Sequence, residues 1–420
     1  MNESRIKSLQ KKYPRIPLQV LVKTDLLFHG VRYTRELGEA GTWAISNYQP
    51  YRFQEGEEDP TGKGYINIPY LLTIEGEGLV RILGNGESPY RIVADGSSHV
   101  LMEGNKQVMQ VAFQKKPLWQ QNKTADGTPM SSVGISQHGD MLILNPTPGC
   151  EYFLHTNEKT GENYRCKFCH YGVPDKRTKQ LGQEIGKGRI GSEHIERIMN
   201  VCEAAQPEIK HYYLVGGSMV NIEEEGKRYV QLAEAVRKVN KSNFPVCCGS
   251  SSLKRDAMLR LIDAGVTGVC FNLEVWDKNI WEKVSPGKSL FVGRNQWIQG
   301  LLDAVEIFGK GNVMSAFVSG IELTVENGFD KIEDALASCT EGTEWLLQHG
   351  ILPLYSIHWP FATQPGKDFT LDTVQDYFIN LNVAQYELRK KQALPFPNDF
   401  VCHQCTYMQL ECDFDYYSKS

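Results

Sequence analysis

The chain has 420 residues and a mass of 47.5 kDa, which exceeds one average domain, so we expect two structural units. Hydrophobic residues make up 41% and charged residues 23% of the sequence, which is ordinary for a globular protein. The net charge of −5 argues against a dedicated nucleic-acid-binding protein. The sequence has no apolar run long enough for a membrane span and no signal-peptide pattern at its start, so we expect a cytoplasmic protein.

Residues 1–135 are predicted to form a β-rich N-terminal domain. A short helix is expected over 5–13, followed by apolar and β-branched runs that Gly, Pro, Asn and Asp interrupt. The predicted strands include LQVLVKT at 18–24 and TWAISNY at 42–48. Several short strands at close spacing favour an antiparallel sheet or a small sandwich. The domain is either a structural cap or a module that binds a substrate or a partner, and residues 119–138 are predicted to be a linker.

Residues 136–390 are predicted to form a partial (βα)6 barrel of the TIM type, which makes the fold class α/β. Short apolar runs alternate there with amphipathic helices, as repeated right-handed βα units do. Gly265, Gly309 and Gly350 stand where helix ends favour a left-handed residue. The predicted strand and helix pairs are 140–145 with 192–204, 211–215 with 226–239, 245–248 with 254–264, 268–273 with 295–308, 312–318 with 329–348, and 352–357 with 371–389.

Three cysteines follow the first predicted barrel strand, where the carboxyl ends of the strands carry the chemistry of such barrels. They are Cys150, Cys166 and Cys169, and no cysteine precedes them in the chain. In a reducing compartment clustered thiols favour metal binding or catalysis over disulfides. Three ligands suit an iron–sulfur cluster with one open iron, whereas structural zinc takes four ligands. The zinc alternative would use His170 as the fourth ligand.

This cysteine loop resembles the motif of radical S-adenosylmethionine (radical SAM) enzymes. The motif places three cysteines as C-x3-C-x2-C after the first barrel strand, with an aromatic residue just before the last one. Phe168 holds that aromatic position here, and the first gap is expanded to the fifteen residues 151–165. The resemblance implies that Cys150, Cys166 and Cys169 bind a [4Fe-4S] cluster.

Residues after the second predicted strand extend the resemblance. Gly216-Gly217-Ser218 resembles the GGE motif, whose backbone meets the amino group of the methionine part of SAM. Ser218 replaces the usual acid. The local alternative is that the two glycines form a tight turn only.

The fourth predicted strand ends in VCFNLEVWD, which is similar to the NLD-type motif of biotin-synthase-like members. Asn272 and Glu274 alternate on one face of a strand, so both are expected to point into the barrel and hold the two ribose hydroxyls. A buried acid needs a partner, which favours ligand binding. The resemblance implies that Arg294, preferred over Lys288, grips the methionine carboxylate. A solvated surface cation is the alternative for Arg294.

Further strand ends supply Ser250, Ser319 and His358, which are expected to contact SAM or the substrate. Serines at 250–252 are also typical helix caps, and a single His is more often structural than functional. Trp359 and Pro360 follow His358 at the same strand end, and they are also expected to contact the adenine of SAM or the substrate.

The resemblance implies a reaction in which SAM is reductively cleaved at the cluster to a 5′-deoxyadenosyl radical that abstracts hydrogen from a small-molecule substrate. The expected outcome is a rearrangement, a lyase reaction or bond formation, with flavodoxin or ferredoxin as a typical electron donor. Two alternatives stay open. One is a zinc- or iron–sulfur-binding barrel without radical chemistry, and the other is a scaffold that binds a macromolecular partner.

Residues 391–420 are predicted to be a short cysteine-containing extension. Cys402, Cys405 and Cys412 are three thiols in the sequence VCHQCTYMQLECDFD. They are expected to bind a second iron–sulfur cluster or zinc, or to act as a structural clip.

Overall fold

The computed structural model describes residues 4–39, 50–75, 77–172, 190–358, 369–395 and 402–418. The chain divides into two compact units. The first comprises Met1–Lys116, Trp359–Asn382 and Cys402–Ser420, and the second comprises Pro117–His358 and Val383–Val401. Most of the predicted C-terminal extension therefore groups with the N-terminal residues, and the predicted linker groups with the barrel. The predicted strand over 42–48 and the residues Trp359 and Pro360 lie outside the described residues.

The first unit combines helices with two antiparallel sheets. Strands β1 and β2 form a pair, and a five-stranded sheet has the order β4-β3-β7-β6-β5. The five-stranded sheet lies within residues 71–113, and three helices precede it. The elements are α1 (Arg5–Lys12), α2 (Leu18–His29), α3 (Arg35–Glu39), β1 (Tyr51–Arg52), β2 (Tyr65–Ile66), β3 (Leu71–Ile74), β4 (Leu79–Arg81), β5 (Tyr90–Asp95), β6 (Ser98–Glu103) and β7 (Lys106–Phe113).

The predicted strand over residues 18–24 is wrong, because this segment belongs to helix α2. All residues from Val20 to Phe28 are buried. A helix that is buried on every side has no polar face, so its apolar run lacks the 3.6-residue period by which helices are identified. Burial therefore outweighs the β-branched composition of the run.

A buried carboxylate joins four elements of the first unit. Asp25 on α2 accepts hydrogen bonds from Arg5 Nε at 2.8 Å, from Gln375 Nε2 at 2.8 Å and from the hydroxyl of Tyr90. Gln375 lies on helix α12 (Leu371–Lys391). Because a buried carboxylate without partners is costly, these donors tie the N-terminal helices to β5 and α12.

The chain end packs within the same unit. The N–H of Leu79 on β4 donates to the carbonyl of His403 at 2.9 Å. Helix α13 (Glu411–Tyr417) brings Asp413 to Lys23, and these fully buried groups form an ion pair at 2.6 Å. Residues 402–418 are thus an integral part of the first unit.

The second unit contains a seven-stranded sheet of order β14-β13-β12-β11-β10-β9-β8. Strands β9 to β14 are parallel, and helices follow them in sequence, which confirms the predicted partial (βα)6 barrel. The strands are β8 (Ser136–His138), β9 (Met141–Leu144), β10 (His211–Val215), β11 (Val246–Ser250), β12 (Gly268–Phe271), β13 (Val313–Ser319) and β14 (Ile351–Ile357). The helices are α4 (Ser192–Ala205), α5 (Ile222–Val239), α6 (Arg255–Asp263), α7 (Lys278–Val284), α8 (Pro286–Phe291), α9 (Arg294–Phe308), α10 (Ile321–Thr324) and α11 (Ile332–Gln348).

Helix ends in the barrel follow the predicted signals. Gly265, Gly309 and Gly350 have φ values of 90°, 88° and 83°, a conformation that side chains with a Cβ disfavour. None of the helices in the described ranges is both long and apolar enough to cross a membrane.

The barrel sheet has one antiparallel edge strand that the sequence reading assigned to the linker. Strand β8 pairs with β9 through a hairpin in which His138 lies opposite Met141. The two-residue loop contains Gly139, with φ of 55°, and Asp140. A Gly-Asp pair between two strands is a recognised hairpin signal, so the sequence contains the information that predicts the hairpin of β8 and β9.

Candidate functional site

The cysteine loop begins six residues after β9, at the carboxyl end of the parallel sheet. The N–H of Cys150 donates to the carbonyl of Gly172 at 3.0 Å, which closes the loop at its base. The N–H of Cys169 donates to the carbonyl of Cys166 at 2.9 Å, which forms a tight turn. Cys150 and Cys166 are buried and Cys169 is partly buried. The loop therefore presents its thiols to the protein interior rather than to bulk water.

Burial controls the protonation of these thiols. It raises the pKa of Cys150 and of Cys166 to about 12, and it raises the pKa of Cys169 as well. A negative charge on Cys169 further raises the pKa of both Cys150 and Cys166. A bound cation reverses this balance, because metal ligation stabilises thiolates. The three residues thus form a donor set that suits a positively charged metal centre.

The predicted glycine pair lies directly against the cysteine loop. A Cβ atom at Gly216 would lie 2.1 Å from Thr147 Oγ1, and one at Gly217 would lie 2.1 Å from the carbonyl oxygen of Gly149. The same Cβ at Gly217 would be 2.7 Å from the Cα of Cys150. The N–H of Gly217 donates to the carbonyl of Thr147 at 2.9 Å. Only glycine permits this approach between the end of β10 and the first cysteine.

Ser218 joins the glycine turn to the insertion through its backbone. Its carbonyl accepts a hydrogen bond from the N–H of Glu151 at 2.9 Å. The Glu151 side chain returns to the segment after the turn, where Oε2 accepts from the N–H of Val220 at 2.7 Å. A carboxylate is thus supplied from the neighbouring loop and not from position 218.

The insertion 151–165 is an ordered excursion that packs on helix α8. It opens with a short 3-10 helix, Glu151–Phe153, and an antiparallel bridge then joins Thr156 to Asn163. The ring of Tyr152 stacks on Phe291 of α8, with centroids 5.3 Å apart and an interplanar angle of 22°. The stack holds the insertion next to the residues that precede α9.

Phe168, in the aromatic position of the cysteine motif, anchors the second half of the loop. It packs against a buried apolar cluster formed by Val275, Ile280, Val284 and Ile321. The N–H of the preceding residue, Lys167, donates to the carbonyl of Val284 at 2.8 Å. Apolar contact and one backbone hydrogen bond therefore fix the segment that carries Cys166 and Cys169.

The expected regular alternation of Asn272 and Glu274 along one strand is wrong. Strand β12 ends at Phe271, and Glu274 has a φ of 69°, which is uncommon for a residue with a side chain. The Oδ1 atom of Asn272 accepts from the N–H of Ala316 at 3.3 Å and so supports strand β13. Glu274 forms a single parallel bridge with Phe317. A left-handed residue held in place by its neighbours is typical of functional sites.

The cation that contacts Glu274 is Lys288. The sequence analysis instead preferred Arg294 as the cation that binds the cofactor. Lys288 Nζ donates to Glu274 Oε1 at 2.6 Å and to the carbonyl of Asn272 at 2.6 Å. The Arg294 guanidinium instead donates to the carbonyl of Trp276 and lies 5.1 Å from the centroid of that ring. Burial lowers the pKa of Arg294, and its Nε is buried without a partner among the described residues. The carbonyl and the ring of Trp276 therefore hold the Arg294 guanidinium.

Glu225 is a buried site residue that sequence reasoning missed. Its carboxylate accepts from the N–H of Met219 at 2.8 Å and from the N–H and Oγ of Ser251 at 2.7 and 3.0 Å. Burial raises the pKa of Glu225 to about 7 despite these hydrogen bonds. The predicted Ser250 makes a local contact, because its hydroxyl donates to the carbonyl of Ser251 at 2.9 Å. Glu225 thus links the segment after the glycine turn to the end of β11.

Ser319 and His358 lie side by side at the ends of β13 and β14. The N–H of His358 donates to the carbonyl of Ser319 at 2.8 Å. The Ser319 hydroxyl is buried and has no hydrogen-bond partner among the described residues. Burial lowers the pKa of His358 to about 4, so its imidazole is neutral at physiological pH. The pair offers neutral hydrogen-bonding groups.

The tail cysteines lie in the first unit. The sulfur atoms of Cys402 and Cys405 are within 4.8 Å of each other, and the N–H of Cys402 donates to Cys405 Sγ at 3.1 Å. Burial raises the pKa of Cys412 on α13, with further contributions from Asp413 and Glu411. The structure thus brings two of the three predicted thiols together in one turn.

Comparison with known proteins places the chain near one curated relative. No protein-family model matches the chain. It is 22% identical over 279 residues to bacteriochlorophyllide c C-7(1)-hydroxylase from Chlorobaculum limnaeum, which covers 62% of the chain and 61% of that protein. The chain thus spans about three fifths of the length of the curated relative it matches.

Solved structures with a similar arrangement were also found. Methylornithine synthase (PylB) matches 60% of the chain and 69% of its own chain, with 14% identity and a TM-score of 0.39. The FeFe-hydrogenase maturase HydG from Carboxydothermus hydrogenoformans matches 61% of the chain and 57% of its own, with 12% identity and a TM-score of 0.39. The sequence match to the curated relative, together with the partial barrel, supports a member of the radical SAM superfamily.

Proposed function

We propose that the protein is a radical SAM enzyme that acts on a small-molecule substrate. The observation that carries the proposal is the close packing of Gly216-Gly217 against the loop of Cys150 at the carboxyl end of the parallel sheet. This packing supports the proposal because the backbone of the glycine turn and the loop with its three thiols lie at the carboxyl end of the parallel sheet, where ligands bind in such folds.

When bound, a [4Fe-4S] cluster with SAM supplies one-electron cleavage of the sulfonium and a 5′-deoxyadenosyl radical that takes a hydrogen atom from the substrate. Cys150, Cys166 and Cys169 would hold the cluster as thiolates. Glu274, fixed by Lys288, would bind the ribose hydroxyls of SAM. The groups around the site are buried, so they would exclude water from the radical. Excluding water and positioning the reactants are the contributions of the protein itself.

The number of thiols favours a cluster over structural zinc. Three cysteine ligands suit a cluster with one open iron, whereas structural zinc takes four ligands. His170, the fourth ligand of the zinc alternative, is exposed.

The substrate is proposed to contact Ser319 and His358. Their neutral, buried hydrogen-bonding groups suit a polar but uncharged part of a small molecule. Rearrangement, lyase and bond-forming reactions remain the proposed outcomes, and the similarity to a hydroxylase adds hydroxylation to these classes. A flavodoxin or a ferredoxin is the proposed class of electron donor.

The test is anaerobic reconstitution with iron and sulfide, followed by reduction, addition of SAM and measurement of 5′-deoxyadenosine. The wild-type protein should form it, whereas Cys150→Ala, Cys166→Ala and Cys169→Ala should form none. Cys202→Ala is the matched control, because Cys202 is also a buried free cysteine but lies on α4. Formation of 5′-deoxyadenosine by any of the three loop variants would refute the ligand assignment.

We further propose that Cys402 and Cys405 contribute to a second metal site, as iron–sulfur or zinc ligands. Their sulfurs are close enough to bind one metal ion. A Cys402→Ala, Cys405→Ala double variant should lose the metal that exceeds the core cluster, measured by elemental analysis, while keeping the core cluster. Cys339→Ala is the control for loss of a buried thiol, because Cys339 is buried but lies on α11. Identical metal content in the wild type and the double variant would contradict a second site.

A further inference from the structure

Lys288 is a buried cation that contacts a carboxylate, a backbone carbonyl and an aromatic ring. It is 6% exposed, and its Nζ donates to Glu274 Oε1 and to the carbonyl of Asn272, both at 2.6 Å. Nζ also lies 4.4 Å from the centroid of the Trp297 ring. The carboxylate, the carbonyl and the ring face together hold the ammonium in one place.

Lys288 also lies on a segment that is bonded to the cysteine loop. The N–H of Gly287, the residue before Lys288, donates to the carbonyl of Tyr164 at 2.9 Å, two positions before Cys166. The N–H of Lys167, the residue after Cys166, donates to the carbonyl of Val284 at 2.8 Å. These two hydrogen bonds hold the segment of Lys288 against the segment of Cys166, so the ammonium lies near a cluster bound there.

Resting on the proposed function, we propose that Lys288 is a positioning residue that fixes the Glu274 carboxylate and raises the reduction potential of the cluster held by Cys166 and its partners. Reduction adds one negative charge to the cluster. A buried cation stabilises that added charge, because charges interact strongly where water is excluded. Arg294 has no comparable part, since its guanidinium is held by Trp276.

The proposal predicts opposite effects for the two members of the ion pair. Lys288→Met removes the positive charge and should shift the midpoint potential of the cluster to more negative values. Glu274→Gln leaves Lys288 without its carboxylate partner and should shift the potential to more positive values. Lys288→Arg keeps the positive charge, so the midpoint potential of the cluster should stay close to that of the wild type. A purely structural role would not predict shifts of opposite sign.

The experiment is a redox titration of the reconstituted holoprotein without SAM, followed by electron paramagnetic resonance. Lys283→Met is the matched control, because Lys283 is an exposed lysine on the preceding helix and should leave the potential unchanged. If Lys288→Met does not fold, Glu274→Gln and Lys288→Arg carry the test. Unchanged potentials in Glu274→Gln, or in a folded Lys288→Met, overturn the inference. A wild-type protein without a cluster overturns the proposed function and this inference together.

Discussion

Gly217 sets the closest approach between the second parallel strand of the barrel and the cysteine loop. Its missing side chain leaves room for the carbonyl of Gly149 and the Cα of Cys150, both of which are backbone atoms. Backbone atoms move only if the loop moves. The identity of this one residue therefore decides whether Cys150 stands in its observed place.

We expect Gly217→Ala to reduce the iron content strongly and to lower the free energy of unfolding by about 1–3 kcal/mol, because the added methyl group forces the loop away. Iron analysis after reconstitution and denaturant unfolding measure the two effects. Gly191→Ala is the matched control, because a Cβ added at Gly191 would have no atom within 4 Å and φ there is −60°. Equal behaviour of the two variants would show that the close approach is not required.

Glu225 makes stability depend on pH. Burial raises its pKa from 4.5 to about 7, so the folded protein binds this proton more tightly than the unfolded chain. The resulting stabilisation is fully present below pH 4.5 and is lost as the pH rises through about 7. The shift corresponds to about 3 kcal/mol.

Glu225→Gln should remove this part of the pH dependence, because the amide does not titrate. Denaturant unfolding of the wild type and the variant between about pH 5 and pH 8 measures the difference. Glu234→Gln on the same helix is the control, since Glu234 is exposed. If the wild type and Glu225→Gln show the same pH dependence, Glu225 does not carry the raised pKa.

Single residues at the site were only partly predictable from sequence. Strand-end positions such as Gly217 and Glu274 stand out because they follow apolar runs. The contact of Lys288 is not evident from the sequence, because its partner Glu274 lies fourteen positions earlier, in the loop after β12. Glu225 gave no local signal, since its hydrogen-bond partners come from the ends of two different strands.

At the level of elements, the insertion and helix α8 form one packed structure. Phe291 is the centre of an aromatic group, with Tyr152 stacked on it and with His155 and Tyr164 in edge contact at 5.4 and 5.7 Å. Offset and edge contacts add to the free energy of burial. The insertion is therefore held by a neighbouring helix rather than by its own hydrogen bonds alone.

Phe291→Ala should lower the free energy of unfolding by about 1–3 kcal/mol and expose the insertion to protease, because the aromatic contacts are lost. Denaturant unfolding and mapping of the first cleavage sites measure these effects. Leu290→Ala is the control, because the adjacent leucine is 57% exposed. Similar losses in both variants would indicate a general weakening of α8.

Elements differ in how far the sequence predicts them. The six parallel strands and their helices were predictable, since each helix carries a polar face and several end in a glycine. The sequence of helix α2 predicts a strand, because burial on every side leaves the helix without a polar face. The insertion was recognised by length alone, and its contact with Phe291 depends on a helix more than a hundred residues away.

At the scale of the whole molecule, a barrel with a cysteine loop is combined with a helical and antiparallel first unit. The sequence could not show that residues 402–418 belong to that first unit, because the hydrogen bond between Leu79 and His403 joins positions far apart in the chain. The barrel carries the residues on which the proposed chemistry depends. The proposed chemistry therefore requires that the barrel holds a redox cluster that SAM reaches.

Electron paramagnetic resonance of the reduced, reconstituted full chain tests that claim most directly, with spectra recorded before and after addition of SAM. We predict a signal from a reduced [4Fe-4S] cluster, about four irons per core site, whose g values change when SAM binds to the open iron. A protein that takes up zinc and gives no signal would contradict the account. A cluster signal that SAM leaves unchanged would contradict it equally.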